Sequence, residues 1–292
     1  MVRHWRFPAR RRARTSPTAR AFIGNALLAF GVVSALVQFV GQLYPEAIAD
    51  RGAVTTAALG CCAAWGAFRA RPQRLVRHEF GNPPTAVVVK GGDLFAEPGH
   101  IVIGFCDTFD TDVEDGVLVN ADSTQGQLLD RRYAGDRRHL DAELGTALHG
   151  TAPVVRLNRA VKPRGKLSRY PIGTVAVLGS RPRLVFAVAY SRLALDYVAA
   201  GGVDELWYSL ARLWDAVFRH AQQERVAMPL VGAGLARLGL DDESLLRLVL
   251  LSFVAHSRRR RVCRELCVVM RPEAFRRIDM GAVEAFLVSL GR

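Results

Sequence analysis

The first twenty residues of this chain contain no acid, residues 21–43 contain no charge of either sign, and only five cysteines occur in 292 residues. Each scarcity excludes something. Cys61, Cys62, Cys106, Cys263 and Cys267 are too few and too scattered for a disulfide framework, and none stands in a CxxC pair. A reducing compartment is expected, with Cys263 and Cys267 as packed core thiols. His149, His220 and His256 have no metal-ligand spacing, so no metal site is expected.

The acids that are missing from the front leave a formal charge of +13, and its distribution decides what it means. Arg3, Arg6, Arg10, Arg11, Arg12, Arg14 and Arg20 precede the first apolar run, and Arg69, Arg71, Arg74 and Arg77 follow the second. These two clusters carry +11, whereas the chain from His78 onward carries only +3. Basicity of this kind points to anionic lipid rather than nucleic acid. The run Arg258–Arg261 reads as the solvated end of a helix, where cations favour the dipole, and no aromatic platform for bases accompanies it.

The charge-free run Ala21–Leu43 would cover the ~30 Å hydrocarbon core of a bilayer at a helical rise of ~1.5 Å per residue. It is too long for the apolar core of a cleavable signal, and a second apolar segment follows at once. That segment, Ala53–Phe68, would reach only about 24 Å as a helix and needs tilt or local thinning to span. The turn between them, Tyr44–Gly52, contains Pro45 and is too short to hold a domain. The expectation is a transmembrane helical hairpin over residues 21–68, with both basic flanks, and so both termini, on the cytoplasmic side of the membrane. Gly31 with Ala35 and Gly60 with Ala64 place small residues four apart, a spacing that permits close helix approach and self-association.

Residues 69–84, basic and with Pro72, Pro83 and Pro84, read as a linker at the membrane surface. From Thr85 to residue 292 short β-rich runs alternate with helical periodicity. Ala86–Lys90, Ile101–Cys106, Ile172–Leu178, Leu184–Tyr190, Arg225–Val231 and Cys263–Met270 read as strands. Gln125–Tyr133, Leu140–Leu148, Val203–Gln223, Asp242–His256 and Gly281–Leu290 read as helices, with Trp207 and Trp214 on one core-facing stripe. The pattern is an α/β domain, a mixed sheet with helices on both faces.

Ligands of such sheets bind at the loops that follow strand ends. Three loops carry the relevant residue types. Gly91-Gly92-Asp93-Leu94-Phe95 follows the first strand, and Asp93 offers acceptors for a base amine. Cys106-Asp107-Thr108-Phe109-Asp110-Thr111 follows the second, rich in short polar side chains. Gly232-Ala233-Gly234-Leu235-Ala236 follows the fifth, where successive backbone amides would cup a phosphate. Tyr190 and Ser191, ending the fourth strand, are placed to stack on a ligand and hydrogen-bond it.

An apolar strand, GDLF, a second strand, a polar loop and a late strand followed by GAG resemble the macro domain. IVIGFCDTFDT, STQGQ at Ser123–Gln127, RYPIGTVAVL at Arg169–Leu178 and MPLVGAG at Met228–Gly234, behind a two-helix anchor, resemble the membrane-bound macro effector of type II Thoeris antiphage defence. The resemblance implies a macro-like fold that binds an ADP-ribose derivative as a signal rather than as a cofactor. On its pattern Asp93 holds the adenine amine, Asp107 to Asp110 border the distal ribose, and Gly232 to Ala236 wrap the diphosphate. It also implies a partner TIR-domain enzyme that makes histidine-linked ADP-ribose from NAD, and effectors that then assemble as homo-oligomers and damage the bilayer. Some macro domains hydrolyse ADP-ribose linkages, many with an asparagine in the loop after the second strand. Residues 106–111 contain none, so no catalytic residue is expected and membrane-tethered hydrolysis is the alternative.

Overall fold

A computed structural model describes the backbone of residues 17–43, 51–69, 75–233 and 239–291. The chain divides into two compact units, Met1–Gln73 and Arg74–Arg292.

In the first unit, helix α1 (Pro17–Leu43) packs against helix α2 (Arg51–Arg69). Proline at the first helical position loses no hydrogen bond, because that N–H has no partner within a helix. Cys62 is buried, whereas Leu27, Leu28, Leu36 and Phe39 remain more than half exposed. The described side chains of α1 run unbroken over residues 26–39, and among the described residues no helix is long and apolar enough to cross a membrane. Of the expected turn Tyr44–Gly52, residues 44–50 lie outside the described residues, as do the basic residues 1–16, and Arg51 and Gly52 belong to α2.

The second unit is built on one mixed sheet. Its strands are β1 (Leu75–Gly81), β2 (Pro84–Gly91), β3 (His100–Cys106), β6 (Val175–Leu178), β7 (Val185–Leu193), β9 (Val226–Pro229) and β10 (Glu265–Met270), in the order β1-β2-β10-β9-β3-β7-β6. The five inner strands are parallel, and the outer pairs β1–β2 and β6–β7 are antiparallel. A short strand β8 (Ala199–Ala200) pairs antiparallel with the end of β7, and β4 (Val155–Arg156) pairs with β5 (Ser168–Arg169) apart from the main sheet.

Inner strands are covered on both faces, so they read as continuous apolar runs rather than alternating ones. Val87 and Val89 of β2 face one core and Val88 faces the other. Helices α5 (Val203–His220), α6 (Asp242–Arg259) and α8 (Met280–Leu290) pack in the first core, with the short α7 (Pro272–Phe275) at its edge. The second core holds α3 (Thr124–Tyr133) and α4 (Arg137–Leu148). Ser123, Asp136, Asp241 and Asp279 cap their helices by accepting backbone N–H groups. Between α5 and α6, the Trp214 ring meets Phe253 edge-on at 5.3 Å and its indole N–H donates to Ser252 Oγ at 3.0 Å.

Three expectations change. Residues 75–81, read as part of a linker, form the edge strand β1. Its polar look comes from facing solvent along one side, Pro83 lies in the β1–β2 turn, and Pro84 opens β2. The domain therefore begins at Leu75 rather than near Thr85. The strand expected from Ile172 starts at Val175, because Thr174 N–H closes a turn onto Pro171 O. Trp207, expected in the core with Trp214, is 38% exposed. Leu206 and Leu210 in the same part of α5 are fully buried, and Trp207 lies about 100° round the helix from Leu206, at the rim of the stripe rather than on it.

Candidate functional site

Because β2, β10, β9, β3 and β7 are parallel, their carboxyl ends bring the three sequence-picked loops to one edge of the sheet. At the end of β2, Gly92 N–H bonds to Met270 O at 3.0 Å and so holds the loop to the end of β10. A Cβ at Gly91 would lie 3.2 Å from Phe275, which leaves little room for a side chain. Asp93 Oδ1 accepts Phe95 N–H at 3.0 Å and starts a single 3-10 turn at Leu94–Ala96. Asp93 Oδ2 accepts from Arg131 of α3 at 2.5 Å, and that guanidinium lies 5.3 Å from the centre of the Phe95 ring. Burial alone would raise the Asp93 pKa, but the Arg131 and Phe95 donors outweigh it and hold the carboxyl below its ordinary value. Leu94 is buried in the core beneath this turn.

The loop after β3 is built differently from the sequence expectation. Asp107, Thr108, Phe109 and Asp110 are all buried. Asp107 Oδ1 accepts Leu193 N–H at 2.9 Å, and its Oδ2 accepts Arg169 of β5 at 2.7 Å. Asp110 Oδ2 accepts Thr108 Oγ1 and Lys162 Nζ, each at 2.6 Å, while its other oxygen takes the backbone N–H of Lys166. Lys162 is as buried as its partner, and a Cβ at Gly165 would strike the Asp110 carboxylate at 2.3 Å. Phe109 takes a positive φ of 49° and stacks on Phe105 at 5.5 Å, with Tyr170 edge-on at 5.7 Å. The two aspartates thus clasp the segment 149–170 over this loop, and only Asp107 reaches an open cleft. That cleft, about 540 Å³, is also lined by Arg169, Tyr170, Arg192, Glu205 and Tyr208.

Tyr190 is set by a register shift. Phe105 pairs with Ala189 but Cys106 pairs with Ser191, so Tyr190 is the extra residue of a bulge in β7. Its ring lies over Gly104 of β3, where an added Cβ would meet Tyr190 Cε1 at 2.5 Å. Beyond it the Tyr190 hydroxyl lies near the backbone N–H of Gly232, the first residue of the glycine loop, which has φ +92°. Burial first, and then the neighbouring Cys106, push the Tyr190 pKa above its ordinary value. Ser191 is buried, with its Oγ 3.4 Å from Cys106 Sγ and its carbonyl accepting Asp107 N–H at 2.8 Å. Ala233 N–H bonds back to Leu230 O at 3.4 Å. Gly234, Leu235 and Ala236 lie outside the described residues.

The fold therefore joins Tyr190 to Gly232 and Ser191 to Asp107, and it leaves Asp93 and Phe95 at the surface beside Arg131. It withdraws Thr108, Phe109 and Asp110 into the core. Sequence reasoning missed Gly104, Arg131, Lys162 and Arg169. Only Gly104 carried a signal, since glycine inside a strand marks a bulge or a close approach. The three cations sit far along the chain from the acids they meet.

A mixed sheet of this order, flanked by helices on both faces and with a glycine loop after β9, defines a macro-type domain. Residues 87–271 match the profile of the family described as Thoeris protein ThsA, Macro domain, and the chain belongs to that family. No curated protein matches it. Among solved structures, an aspartate-to-alanine mutant of the Oceanobacillus iheyensis macrodomain aligns at 12% identity and a TM-score of 0.49, covering 74% of this chain and all of that one. A glycine-to-valine mutant of the same macrodomain with ADPR aligns at 12% identity and 0.43, covering 74% and 97%. The form with MES bound aligns at 14% and 0.45, covering 74% and 95%.

Proposed function

We propose that this chain is a membrane-anchored effector of antiphage defence whose macro domain binds an ADP-ribose-derived signal, histidine-linked ADP-ribose made by a TIR-domain enzyme, and then assembles. The observation that carries the reading is the Tyr190–Gly232 contact at the carboxyl ends of β7 and β9. It places an aromatic ring and a positive-φ glycine loop side by side, where a ribose and a diphosphate would be received, in a chain of the ThsA macro family. Asp93 fits the adenine amine because a carboxylate has about four acceptor positions, of which Phe95 N–H and Arg131 take two. The pairing of Asp107 with Arg169 and of Asp110 with Lys162 favours binding over hydrolysis, since a carboxylate held by a cation is a poorer base for a water.

The anchor is supported by the apolar run Ala21–Leu43 within the 27-residue α1, by the exposed Leu27, Leu28, Leu36 and Phe39, and by arginine clusters on both flanks. Those clusters put both termini on the cytoplasmic side of the inner membrane.

The test is calorimetric titration of ADP-ribose and its histidine adduct against the full chain in detergent. Saturable binding of either, tighter for the adduct, is expected. Folded protein that binds neither overturns the sensor reading.

A further inference from the structure

The amino ends of the parallel strands, opposite the three ligand loops, hold a second cavity of about 390 Å³, a size that suits a small molecule. Four pieces of chain enclose it. They are the end of β1 at Phe80, the turn at Asn82 and Pro83 that leads into β2, the last turns of α6, and the end of α8. Phe80, Val254 and Leu290 give it apolar walls that continue into the first core.

Two polar side chains of α6 on this wall have bonding capacity that the fold does not use. Ser257 is 2% exposed, and its Oγ is buried with no hydrogen-bond partner among the described residues. A buried hydroxyl left unpaired is destabilising, and native interiors keep few of them. Thr85, the other hydroxyl on the wall, shows the ordinary arrangement, since its Oγ1 donates to Cys263 O at 2.8 Å. Beside Ser257, Arg258 donates one N–H to Leu290 O at the end of α8 and pairs with no carboxylate among the described residues. The rest of its guanidinium fork is free for a ligand. Among the described residues Arg258 is also the one charged side chain lining the cavity.

We infer that this cavity binds a small monocarboxylate with an apolar body. The carboxylate accepts from the Arg258 fork and from the Ser257 hydroxyl, and the body lies against Phe80, Val254 and Leu290. The class follows from the wall. One cation beside an orphaned donor matches a single planar anionic group, held by charge-assisted hydrogen bonds. The uncharged remainder of the lining does not suit a polyanion such as a nucleotide, because further charges would be desolvated there without partners. A lone water would satisfy Ser257 but leave the fork and the apolar walls without a use. The inference does not rest on the proposed function, since none of these residues belongs to the three ligand loops.

The test is fluorine NMR of 4-fluorobenzoate with the full chain in a nonionic detergent, against detergent alone and against 4-fluorobenzamide, its uncharged analogue. Saturable broadening of the acid is expected, with the amide bound about tenfold more weakly. Arg258→Gln is expected to bring the acid down to the level of the amide. Ser257→Ala is expected to weaken the acid severalfold without lowering the melting temperature, because the hydroxyl has no partner in the protein to lose. Excess ADP-ribose should leave the probe bound. Absence of saturable broadening means that the cavity holds water only, and it overturns the inference. Acid and amide bound alike overturn it too, as does acid binding unchanged in Arg258→Gln. Full displacement by ADP-ribose also overturns it, since the probe then sits at the carboxyl edge of the sheet. The comparison of acid with amide and the displacement need wild type alone, so they decide the matter even where a variant does not fold.

Discussion

Tyr190 reaches the glycine loop only because Gly104 has no side chain, so the two residues act as one unit across neighbouring strands. Gly104→Ala should displace the ring and weaken ADP-ribose binding about tenfold or more, in titration of protein that remains folded. Asp93→Ala should also weaken binding while leaving membrane association unchanged in fractionation, and unchanged affinity would remove the adenine assignment. The Lys162–Asp110 pair belongs to stability instead. Removing one partner, as in Lys162→Met, leaves the buried Asp110 carboxylate without its cation and should cost about 3–5 kcal/mol in urea unfolding. His100 adds a pH dependence. Its Nδ1 accepts Leu184 N–H at 3.1 Å and its Nε2–H faces Ala221 O at 3.3 Å, with Glu224 and Arg181 nearby. Burial holds its pKa below the ordinary value, so the folded chain resists a proton that the unfolded chain accepts. Stability is therefore whole above about pH 6.5 and falls as pH drops below it. Urea midpoints measured from pH 7.5 to 5 should fall less steeply in His100→Gln than in wild type.

Among the elements, β1 shows how an edge strand hides in a sequence. Arg77, His78 and Glu79 alternate poorly with apolar residues, because only Val76 faces the core fully. Yet β1 covers the outer edge of β2, whose middle is buried throughout. A chain starting at Pro84 should therefore expose that edge and aggregate, where one starting at Arg74 stays dispersed, as size-exclusion chromatography would show. The inner strands and long helices were legible because burial on both faces or on one stripe leaves a periodic trace. The clasp over residues 106–111 was not, since Asp107 and Asp110 look alike whether they cap a turn, hold a ribose or bury against Arg169 and Lys162. Nothing local distinguishes these roles, and the partners lie some fifty residues or more away along the chain.

At the scale of the whole molecule, arginine is placed by region: clusters flank the apolar helices at the front, whereas the chain from His78 onward carries only +3. Full chain expressed in bacteria should require detergent for extraction, whereas the chain from Arg74 onward should not. Release of the full chain by salt alone would remove the anchor.

The sequence by itself determined the α/β class, the inner strands, the helices and the three loops, because hydrophobic period and glycine placement act over a few residues at a time. Tertiary structure alone decided which loop residues face a ligand and which are buried in ion pairs. It also put Trp207 at the surface while Trp214 went inside. Those outcomes depend on charges and rings brought together from distant segments, and desolvation and pairing are settled only where such groups meet.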